Sequence, residues 1–424
     1  MKISNGASNN KNKEIGHIAS FFSGVARIQG LPSVFLHEVL LDEANTPVAI
    51  VIGFDENFVD ALFFKENFDL KKPVFRSFES FSIPVSENYT DRIVNGLGNP
   101  IDGLGAIQGK ISPVFRGAPP IIAREPVVMP LSTGIKIIDT NLPLGRGQRE
   151  LIVGDRKVGK STIATDAVLN QKNAEPSVYC IYVICGQKER KLREIISLFK
   201  KHNAFLYTAI VSASAGSSFA EQYLAPFVGC AIGEYFRDNG KHALVVYDDL
   251  SKHAKSYRDI SLLLERAPGR EAYPGDIFSL HATLLERAAK VSKGNGGGSL
   301  TALPIIETQE GDITSFIPTN LISITDGQIY LEAGLFQKGF LPAVNVGLSV
   351  SRVGSQAQPK TLKEVVGGIR LALSQHKELQ KLSQLETAVS IEAQKKIRRG
   401  DLVLELLKQD KHTNIEWQEQ VVLF

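Results

Sequence analysis

A loop with two fixed glycines, placed between an apolar run and a predicted helix, constrains the fold most strongly. The apolar residues 151–153 lead into GDRKVGKS, residues 154–161, which fits the phosphate-loop pattern G-x-x-x-x-G-K-[ST]. Gly154 and Gly159 permit a backbone whose N–H groups converge on phosphate oxygens. The following helix adds its positive N-terminal end. The sequence therefore predicts a strand, a phosphate-binding loop and a helix.

Two side chains of this loop have predicted roles of their own. The ammonium of Lys160 is expected to reach the β- and γ-phosphates of a nucleotide, and the hydroxyl of Ser161 is expected to bind Mg²⁺. The other candidates for nucleotide contact here are Gly154, Asp155, Arg156, Lys157, Val158, Gly159 and Thr162. A glycine-rich turn without a ligand is the alternative. The strand before the loop and the helix after it favour the phosphate site.

Composition limits the class of protein. The chain has 424 residues, of which 43% are hydrophobic and 22% charged, as is typical of a soluble globular protein with two or three domains. The formal net charge of +3 is too small to indicate nucleic acid as the main partner. The 3 cysteines lie in apolar surroundings, which favours buried thiols in a reducing compartment.

The distribution of apolar residues predicts where the protein is located. No apolar run approaches the ~18 residues of a membrane span. The first residues, MKISNGASNNKNKE, are polar and do not form a signal peptide. We therefore expect a cytoplasmic protein, with any association with the inner face of the cell membrane being peripheral and indirect.

The chain divides into regions of different character. Residues 1–17 are predicted to form a flexible tail, and residues 18–84 a β-barrel or sandwich of about six short strands. Residues 85–360 are assigned to a nucleotide-binding domain. Its first part contains many turn signals and is expected to lie over the rest. Strands and helices then alternate, which predicts a parallel sheet with helices on both faces. Helical patterns return in residues 361–424.

Two carboxylates end one of the predicted strands. The run HALVVYDD, residues 242–249, brings Asp248 and Asp249 to the carboxyl edge of the sheet, where ligands bind in folds of this type. Asp248 is expected to hold a water on Mg²⁺ near Ser161. Asp249 is explained at least as well as the cap of the next helix.

Long stretches of the chain resemble one family. They include GRGQREL, GDRKVGKST, CIYVICGQKER, HALVVYDDLSKHAKSYRDISLLLERAPGREAYPGD, IPTNLISITDGQIYLE and PAVNVGLSVSRVGS. These segments are similar to the α subunits of F-type rotary ATP synthases. The similarity runs from about residue 85 to residue 358 and extends more weakly over the barrel and the C-terminal region. The short ends are typical of a compact, divergent member of that family.

The resemblance implies an architecture and a set of partners. The expected fold is multidomain, with an N-terminal β-barrel, a central RecA-like α/β phosphate-loop domain with a parallel sheet, and a short C-terminal α-helical domain. Subunits of this type alternate with catalytic β-type subunits in a hexamer around a central γ-type shaft, without nucleic acid. They bind ATP or ADP with Mg²⁺ and do not turn it over.

Three positions carry the chemistry that the resemblance implies. Gln187 stands where the catalytic partner has a glutamate that polarises the attacking water, and an amide cannot act as a general base. Arg352 is expected to reach across the subunit boundary to the neighbour's γ-phosphate. Ser349 belongs to the same segment and is expected to help position it. Arg352 and Ser349 are thus the candidate catalytic residues.

The base-binding pocket implied by the resemblance departs from the family pattern. Its candidate residues here are Phe336, Pro342 and Gln409. Leu341 replaces an arginine, and Lys411 replaces a second glutamine. In the phosphate loop, Lys157-Val158 replaces Gln-Thr and adds a charge beside the phosphates. Phosphate binding is therefore more firmly indicated than a preference for adenine.

Two other functions remain open at this point. A Rho-like hexameric RNA translocase also joins a small barrel to a RecA-like domain, but it needs a basic barrel with aromatic residues. Residues 18–83 contain acidic clusters such as Asp42-Glu43 and Asp55-Glu56 instead. An export-type ATPase is catalytic by itself, and Gln187 argues against it. The sequence thus predicts a non-catalytic subunit of a rotary ATPase head, coupled to proton transport or to another rotary machine.

Overall fold

The structure is a computed structural model that describes residues 14–383 and 391–424. Most of the predicted tail, residues 1–13, lies outside the described residues. The described chain begins with a closed antiparallel barrel of six strands in the order β1-β2-β5-β4-β3-β6. These strands are β1 (Ile15–Phe22), β2 (Val25–Gln29), β3 (Glu38–Leu41), β4 (Pro47–Phe54), β5 (Val59–Phe63) and β6 (Val74–Ser80).

The barrel begins earlier in the chain than the predicted range, 18–84. Ile15 pairs with Phe75 and Gly16 pairs with Val74, and this pairing of β1 with β6 closes the barrel. Apolar side chains such as Ile28 and Leu40 fill the interior. The six predicted strands are confirmed.

Short elements connect the barrel to the central sheet. They are β7 (Ser82–Val85), β8 (Ile93–Asn95), β9 (Lys110–Pro113), β10 (Pro130–Leu131), α1 (Lys136–Asn141) and β11 (Leu144–Gly145). This region does more than lie over the next domain, because β8 pairs in parallel with strand 208–214 and forms one edge of the main sheet. Strand β8 is only three residues long, too short for its apolar pattern to predict it.

The central domain contains an eight-stranded sheet and its helices. In chain order the elements are β12 (Leu151–Gly154), α2 (Lys160–Leu169), β13 (Val178–Gln187), α3 (Glu189–Lys201), β14 (Thr208–Ser214), α4 (Phe219–Asp238), β15 (His242–Asp248), α5 (Leu250–Leu263), α6 (Ile277–Leu285), β16 (Ser299–Glu307), α7 (Phe316–Ile324), β17 (Gly327–Leu331), α8 (Ala333–Gln337) and β18 (Val350–Ser351). The sheet order is β18-β17-β12-β16-β15-β13-β14-β8, and β18 alone runs antiparallel to its neighbour.

Two apolar cores lie on the two faces of this sheet. One core contains residues of α4 and α5, such as Phe227 and Ile260. The other contains residues of α2 and α3, such as Ile163 and Phe199. Strands buried on both faces are near-continuous apolar runs, which is how the sequence predicted them. The parallel sheet with helices on both faces is confirmed.

The C-terminal region consists of α9 (Lys360–Ser383), α10 (Ile391–Leu407) and α11 (Trp417–Leu423). Helices α9 and α10 approach closely at Gly400, where an added Cβ would lie 2.3 Å from the Cβ of His376. The loop between α10 and α11 returns to the central domain. No helix among the described residues is long and apolar enough to cross a membrane.

Candidate nucleotide-binding site

The phosphate loop joins the end of β12 to the start of α2. Gly154 is required because an added Cβ would lie 2.5 Å from the carbonyl oxygen of Leu331. Gly159, immediately before the helix, has a φ of +104°, which glycine adopts without strain. Val158 is buried in the core beside α2 and anchors the loop. The local sequence thus produces the strand, turn and helix that a phosphate-binding backbone needs.

Side chains of the loop are tied to the end of β16. Asp155 Oδ1 accepts hydrogen bonds from the hydroxyl of Thr308 at 2.7 Å and from the backbone N–H of Gly311 at 2.8 Å. Arg156 Nε donates to Glu307 Oε1 at 2.6 Å. These bonds hold the loop against its neighbouring strand. Asp155 and Arg156 therefore have structural partners here in addition to their predicted contact with nucleotide.

Lys160 lies inside the loop rather than in solvent. Its Nζ donates to the carbonyl oxygens of Gly154 at 2.8 Å and Asp155 at 2.5 Å. Burial lowers the pKa of this ammonium, while Glu307 and the two strand-end aspartates oppose that shift. The loop therefore encloses a cation at the centre of its curve, where phosphate oxygens are expected. Ser161 and Thr162 follow in the first turn of α2, and Lys157 is exposed on the loop.

The two strand-end aspartates have different roles. Both side chains are buried at the tip of β15. Asp248 Oδ2 accepts a hydrogen bond from the hydroxyl of Tyr182 at 2.7 Å. Asp249 caps α5, since its Oδ1 accepts from the N–H of Lys252 at 2.8 Å and its Oδ2 lies 2.8 Å from Lys252 Nζ. The predicted capping role of Asp249 is confirmed.

The oxygen donors at this edge suit a magnesium ion that also binds phosphate. The hydroxyl of Ser161 and the carboxylate of Asp248 are hard oxygen ligands of the kind that Mg²⁺ prefers. Among residues 14–383 and 391–424, no group of three or more His, Cys, Asp or Glu could hold a metal ion.

Gln187 lies at the tip of β13 beside both aspartates. Its Nε2 donates to Asp248 Oδ1 at 3.0 Å and to Asp249 Oδ2 at 3.2 Å. An amide can make this double contact because it is a donor, whereas a glutamate here would bring a third carboxylate into the group. Burial raises the pKa of Asp249, and Asp248 raises it further, although Lys252 opposes the shift. Gln187 therefore relieves a crowded cluster of negative charge.

Arg352 lies at the opposite end of the sheet from the phosphate loop. Strand β18 pairs Ser351 with Gly327, and the next residue of β17, Gln328, lies beside Leu151 at the start of β12. Gly154, where the loop begins, lies beside Leu331 further along β17. At about 3.3 Å per residue, Gly327 beside Ser351 and Leu331 beside Gly154 are roughly 13 Å apart along β17. The structure does not bring Arg352 and the loop of this chain together.

The backbone of the Arg352 segment is held while its guanidinium is free. The N–H of Arg352 donates to the carbonyl of Asp326 at 2.8 Å. Within the described parts of the chain, its exposed guanidinium makes no hydrogen bond or ion pair. Ser349 is buried; its hydroxyl donates to Asn345 O at 2.7 Å and accepts from Tyr330 N at 2.9 Å. Ser349 thus anchors this segment to β17.

The predicted base-pocket residues lie on two segments that meet. The N–H of Gln409, after α10, donates to the carbonyl of Leu341 at 2.8 Å. The side-chain amide of Gln409 accepts from Lys136 N at 2.9 Å and donates to Gly134 O and Thr413 O, both at 2.7 Å. These bonds lock the loop after α10 onto the start of α1. Phe336 and Leu341 are exposed and Pro342 is half-buried. Their contact with a base stays a prediction.

Sequence reasoning missed a second link between the C-terminal loop and the phosphate-loop helix. His412 Nδ1 lies 2.6 Å from Asp166 Oδ1, and Asn414 donates to the carbonyl of Asp166 at 2.7 Å. Burial raises the pKa of the Asp166 carboxyl, although His412 opposes that shift. The partners are 246 residues apart in the chain, and no local signal could have paired them.

The fold and this site together define a phosphate-loop nucleotide-binding protein. Residues 134–351 match the model of the ATP synthase alpha/beta family, nucleotide-binding domain, and residues 358–424 match that of the ATP synthase alpha/beta chain, C terminal domain. The chain belongs to the ATP synthase alpha/beta family. The family and the three-part architecture predicted from the sequence are confirmed.

Comparison with individual proteins gives the same family. The chain is 51% identical over 416 residues to the ATP synthase subunit alpha of Aquifex aeolicus, a match that covers 97% of this chain and 82% of that protein. It is 49% identical over 422 residues to the ATP synthase subunit alpha of Ehrlichia chaffeensis, covering 97% and 83%. The matched relatives are thus alpha subunits, and the chain spans more than four-fifths of their length.

Proposed function

We propose that this chain is the non-catalytic α-type subunit of an F-type rotary ATPase head. It binds ATP with Mg²⁺ in its own phosphate loop and supplies Arg352 to the catalytic site of a neighbouring β-type subunit. The observation that carries this proposal is the separation of Arg352 from the phosphate loop of the same chain. An exposed cation at the far end of the sheet from the phosphate loop of its own subunit is available to another subunit.

The chain's own nucleotide site is built for binding. We infer that the loop backbone and Lys160 would hold the phosphates, and that Ser161 and Asp248 would hold a Mg²⁺ ion bound to those phosphates. When bound, the metal supplies positive charge against the phosphate oxygens. The pocket for the base is proposed to be formed by Phe336, Pro342 and Gln409.

The position next to the metal-binding carboxylate carries an amide instead of a general base. This residue is Gln187, and its side-chain N–H groups donate hydrogen bonds to Asp248 and Asp249. An amide does not take a proton from water at neutral pH, so Gln187 cannot serve as the general base for attack on the γ-phosphate. We infer that bound ATP persists in this subunit.

Arg352 supplies the charge that the neighbouring site needs. A planar guanidinium stabilises the charge spread over the phosphoryl oxygens in the transition state, and such arginines contribute ~10³–10⁵ in rate in other nucleotidases. Hydrogen bonds at Ser349 and Asp326 anchor the backbone of this segment, and they leave the guanidinium available to the neighbouring subunit. Arg352 therefore acts as an arginine finger in trans, and Ser349 positions it.

The partners follow from this division of roles. A finger in trans requires alternation with catalytic β-type subunits, and a rotary head requires a central γ-type shaft. Coupling to proton transport, or to another rotary machine, belongs to the whole assembly, and contact with the inner face of the membrane is indirect. This chain would contribute nucleotide binding and the finger.

The proposal is tested by purifying the chain alone and with its β-type partner. The isolated chain is expected to bind ATP–Mg²⁺ and to hydrolyse it negligibly, whereas turnover of ~1–10³ s⁻¹, typical of enzymes, would contradict the proposal. Lys160→Ala, which is expected to weaken ATP binding, is the control. Co-expression is expected to yield a hexamer with the two chains in equal amounts. A homohexamer whose ATPase is stimulated by RNA would support the translocase instead.

A further inference from the structure

A buried carboxyl lies beneath the segment that carries Arg352. Glu150 immediately precedes β12, and its side chain is fully buried. Its N–H donates to the carbonyl of Ala302 on β16 at 3.0 Å, so the residue is fixed in the middle of the sheet. It lies at the amino end of β12, away from the phosphate loop. No role in nucleotide binding accounts for a carboxyl at this place.

The hydrogen bonding of this carboxyl is incomplete. Glu150 Oε2 accepts from the amide Nε2 of Gln148 at 2.7 Å. Glu150 Oε1 is buried and has no hydrogen-bond partner among the described residues. A buried polar atom without a partner is costly, and its presence at this place calls for an explanation.

The chain backbone passes directly over the carboxyl at Gly327. A Cβ added to Gly327 would lie 2.6 Å from Glu150 Oε2, 2.9 Å from Oε1 and 2.1 Å from the carbonyl oxygen of Val350. Only a glycine fits between the carboxyl and β18. Glu150 is thus packed against the two strands, β17 and β18, that hold Arg352.

A hydrogen-bonded chain connects the carboxyl to the residue before Arg352. The amide of Gln148 that donates to Glu150 also donates to the hydroxyl of Ser351 at 3.1 Å. Ser351 in turn donates to Pro143 O at 2.9 Å and accepts from Gly354 N at 3.2 Å. The backbone on both sides of Arg352 is therefore attached to the group that contains Glu150.

Two charged groups, Asp326 and Arg352, influence the pKa of this carboxyl. Asp326, from the turn before β17, is paired with Arg149 through bonds of 3.0 and 2.7 Å, so Arg149 is already neutralised. The guanidinium of Arg352 makes no hydrogen bond or ion pair with Glu150 or with any other described residue, although its charge acts on the pKa of Glu150. Burial raises the pKa of Glu150 and Asp326 raises it further, while Gln148 and Arg352 oppose the shift.

We propose that Glu150 is a positioning residue for Arg352: its carboxyl binds the amide of Gln148, the same amide binds Ser351, and this network fixes the backbone that carries the guanidinium. This inference rests on the proposed function, because it assumes that Arg352 acts in trans. Glu150 does not touch the reacting atoms. Its influence is exerted only through Arg352.

The main test replaces Glu150 with its neutral isostere in the assembled hexamer. Glu150→Gln is expected to lower kcat about tenfold with KM unchanged, because it replaces the carboxylate that accepts the short hydrogen bond from Gln148 by a neutral amide. Nucleotide binding by the mutated subunit should not change. Glu189→Gln, the same chemical change on the exposed face of α3, is the matched control and should keep wild-type kcat. Wild-type kcat in the Glu150→Gln hexamer would overturn the proposal.

The pH dependence of turnover gives a readout that a merely structural role would not move. A carboxyl with a raised pKa takes up its proton at a higher pH than ordinary glutamates. The hydrogen bond from Gln148 weakens as pH falls through that pKa, because a protonated carboxyl is a poorer acceptor, so kcat of the wild-type hexamer should show an acid limb. This limb should be absent in Glu150→Gln, and its persistence there would assign it to another group and contradict the proposal.

A double-mutant cycle separates failure of this inference from failure of the proposed function. If Glu150 acts through Arg352, adding Glu150→Gln to Arg352→Ala should change the residual turnover no further. A further fall would overturn the positioning role. If Arg352→Ala alone leaves turnover intact, the proposed finger is wrong. If Arg352→Ala abolishes turnover and Glu150→Gln does nothing, only the present inference fails.

A second variant keeps the test decisive if Glu150→Gln does not assemble. Ser351→Ala removes the hydroxyl that joins Gln148 to the arginine segment and leaves the carboxyl in place. It should lower kcat about threefold at constant KM, and a smaller loss in the Arg352→Ala background would show that it acts through the finger. Unchanged kcat in an assembled Ser351→Ala hexamer would overturn the proposal.

Discussion

The functional side chains at the two ends of the main sheet differ in whether they are bonded within the chain. At the carboxyl end, the groups that serve this chain's own nucleotide are already bonded inside the chain, as Lys160 is to Gly154 and Gln187 is to Asp248. At the amino end, the guanidinium of Arg352 is exposed and unpaired among the described residues, and only its backbone is bonded.

This difference follows from where each ligand comes from. A site that binds its ligand within one chain can be preorganised by that chain, because the loop is folded before the phosphate arrives. A group that acts on another subunit must have no ion-pair partner within its own chain, because an internal ion pair would compete with the phosphate. Its backbone must nevertheless be rigid, because a misplaced guanidinium stabilises little. Ser349 and Asp326 meet this second need.

The largest effect is expected from a substitution at the amino end of the sheet alone. Arg352→Ala should lower turnover of the hexamer about 10³-fold while assembly and nucleotide binding at this subunit persist, because the guanidinium acts in the transition state of the neighbouring site. Arg352→Lys should rescue only part of the loss, since a point charge does not reproduce the planar fork.

Steady-state hydrolysis by hexamers of confirmed stoichiometry measures the Arg352 effect. Binding of a fluorescent ATP analogue to the mutated subunit is the control. Near-normal turnover would show that another cation serves the catalytic site, and the contrast between the two sheet ends would lose its functional meaning.

The next largest effect is expected from a substitution at the carboxyl end of the sheet alone. Lys160→Ala removes the buried ammonium that is expected between the phosphates, and it should weaken ATP binding to the isolated chain about 10- to 100-fold, the range for charge-assisted hydrogen bonds. Calorimetric titration measures this. Lys172→Ala, an exposed lysine beyond the end of α2, is the matched control. Equal affinities of the Lys160→Ala and wild-type chains would remove Lys160 from the phosphate site.

A third change tests whether the carboxyl end of the sheet tolerates a further negative charge beside Asp248 and Asp249. Gln187→Glu replaces a donor to two aspartates by a third carboxylate, and it should lower the free energy of unfolding by about 2 kcal/mol. The loss should be larger at pH 8 than at pH 5, because only ionised carboxylates repel. Hydrolysis by the isolated chain should not appear, since no arginine from a neighbour is present.

Urea unfolding at the two pH values checks the effect of Gln187→Glu. Gln418→Glu, on the exposed surface of α11, provides the same change without neighbouring aspartates and should be nearly neutral. A Gln187→Glu chain as stable as the wild type would mean that the amide is not needed between the two aspartates.

The smallest expected effect distinguishes the two lysines of the phosphate loop, Lys157 and Lys160. Lys157 is exposed and adds charge near the phosphates without a hydrogen-bonded partner in the described residues. Lys157→Gln should weaken ATP binding only about twofold, as for exposed charge pairs, and the difference should vanish at high salt. Titrations at two salt concentrations measure it. A loss as large as that of Lys160→Ala would place Lys157 among the principal phosphate ligands.

The sequence by itself determined the parts of this protein that depend on neighbouring residues. The phosphate loop, the apolar strands and the cap at Asp249 are each encoded within a few positions, because turn geometry, burial and capping act locally. Longer matching segments identified the family and its three-part architecture. The sequence also showed that Gln187 stands where the catalytic partner has a glutamate that polarises the attacking water.

Only the tertiary structure decided which distant residues meet. Because β18 runs antiparallel to β17, Arg352 lies at the end of the sheet away from the phosphate loop, and no local pattern records the direction of a two-residue strand. The bonds of Gln409, the pairing of His412 with Asp166 and the burial of Glu150 likewise join segments far apart in the chain. Such contacts are selected by the packing of the whole domain, whose free energy is shared among many residues and is not written in any one of them.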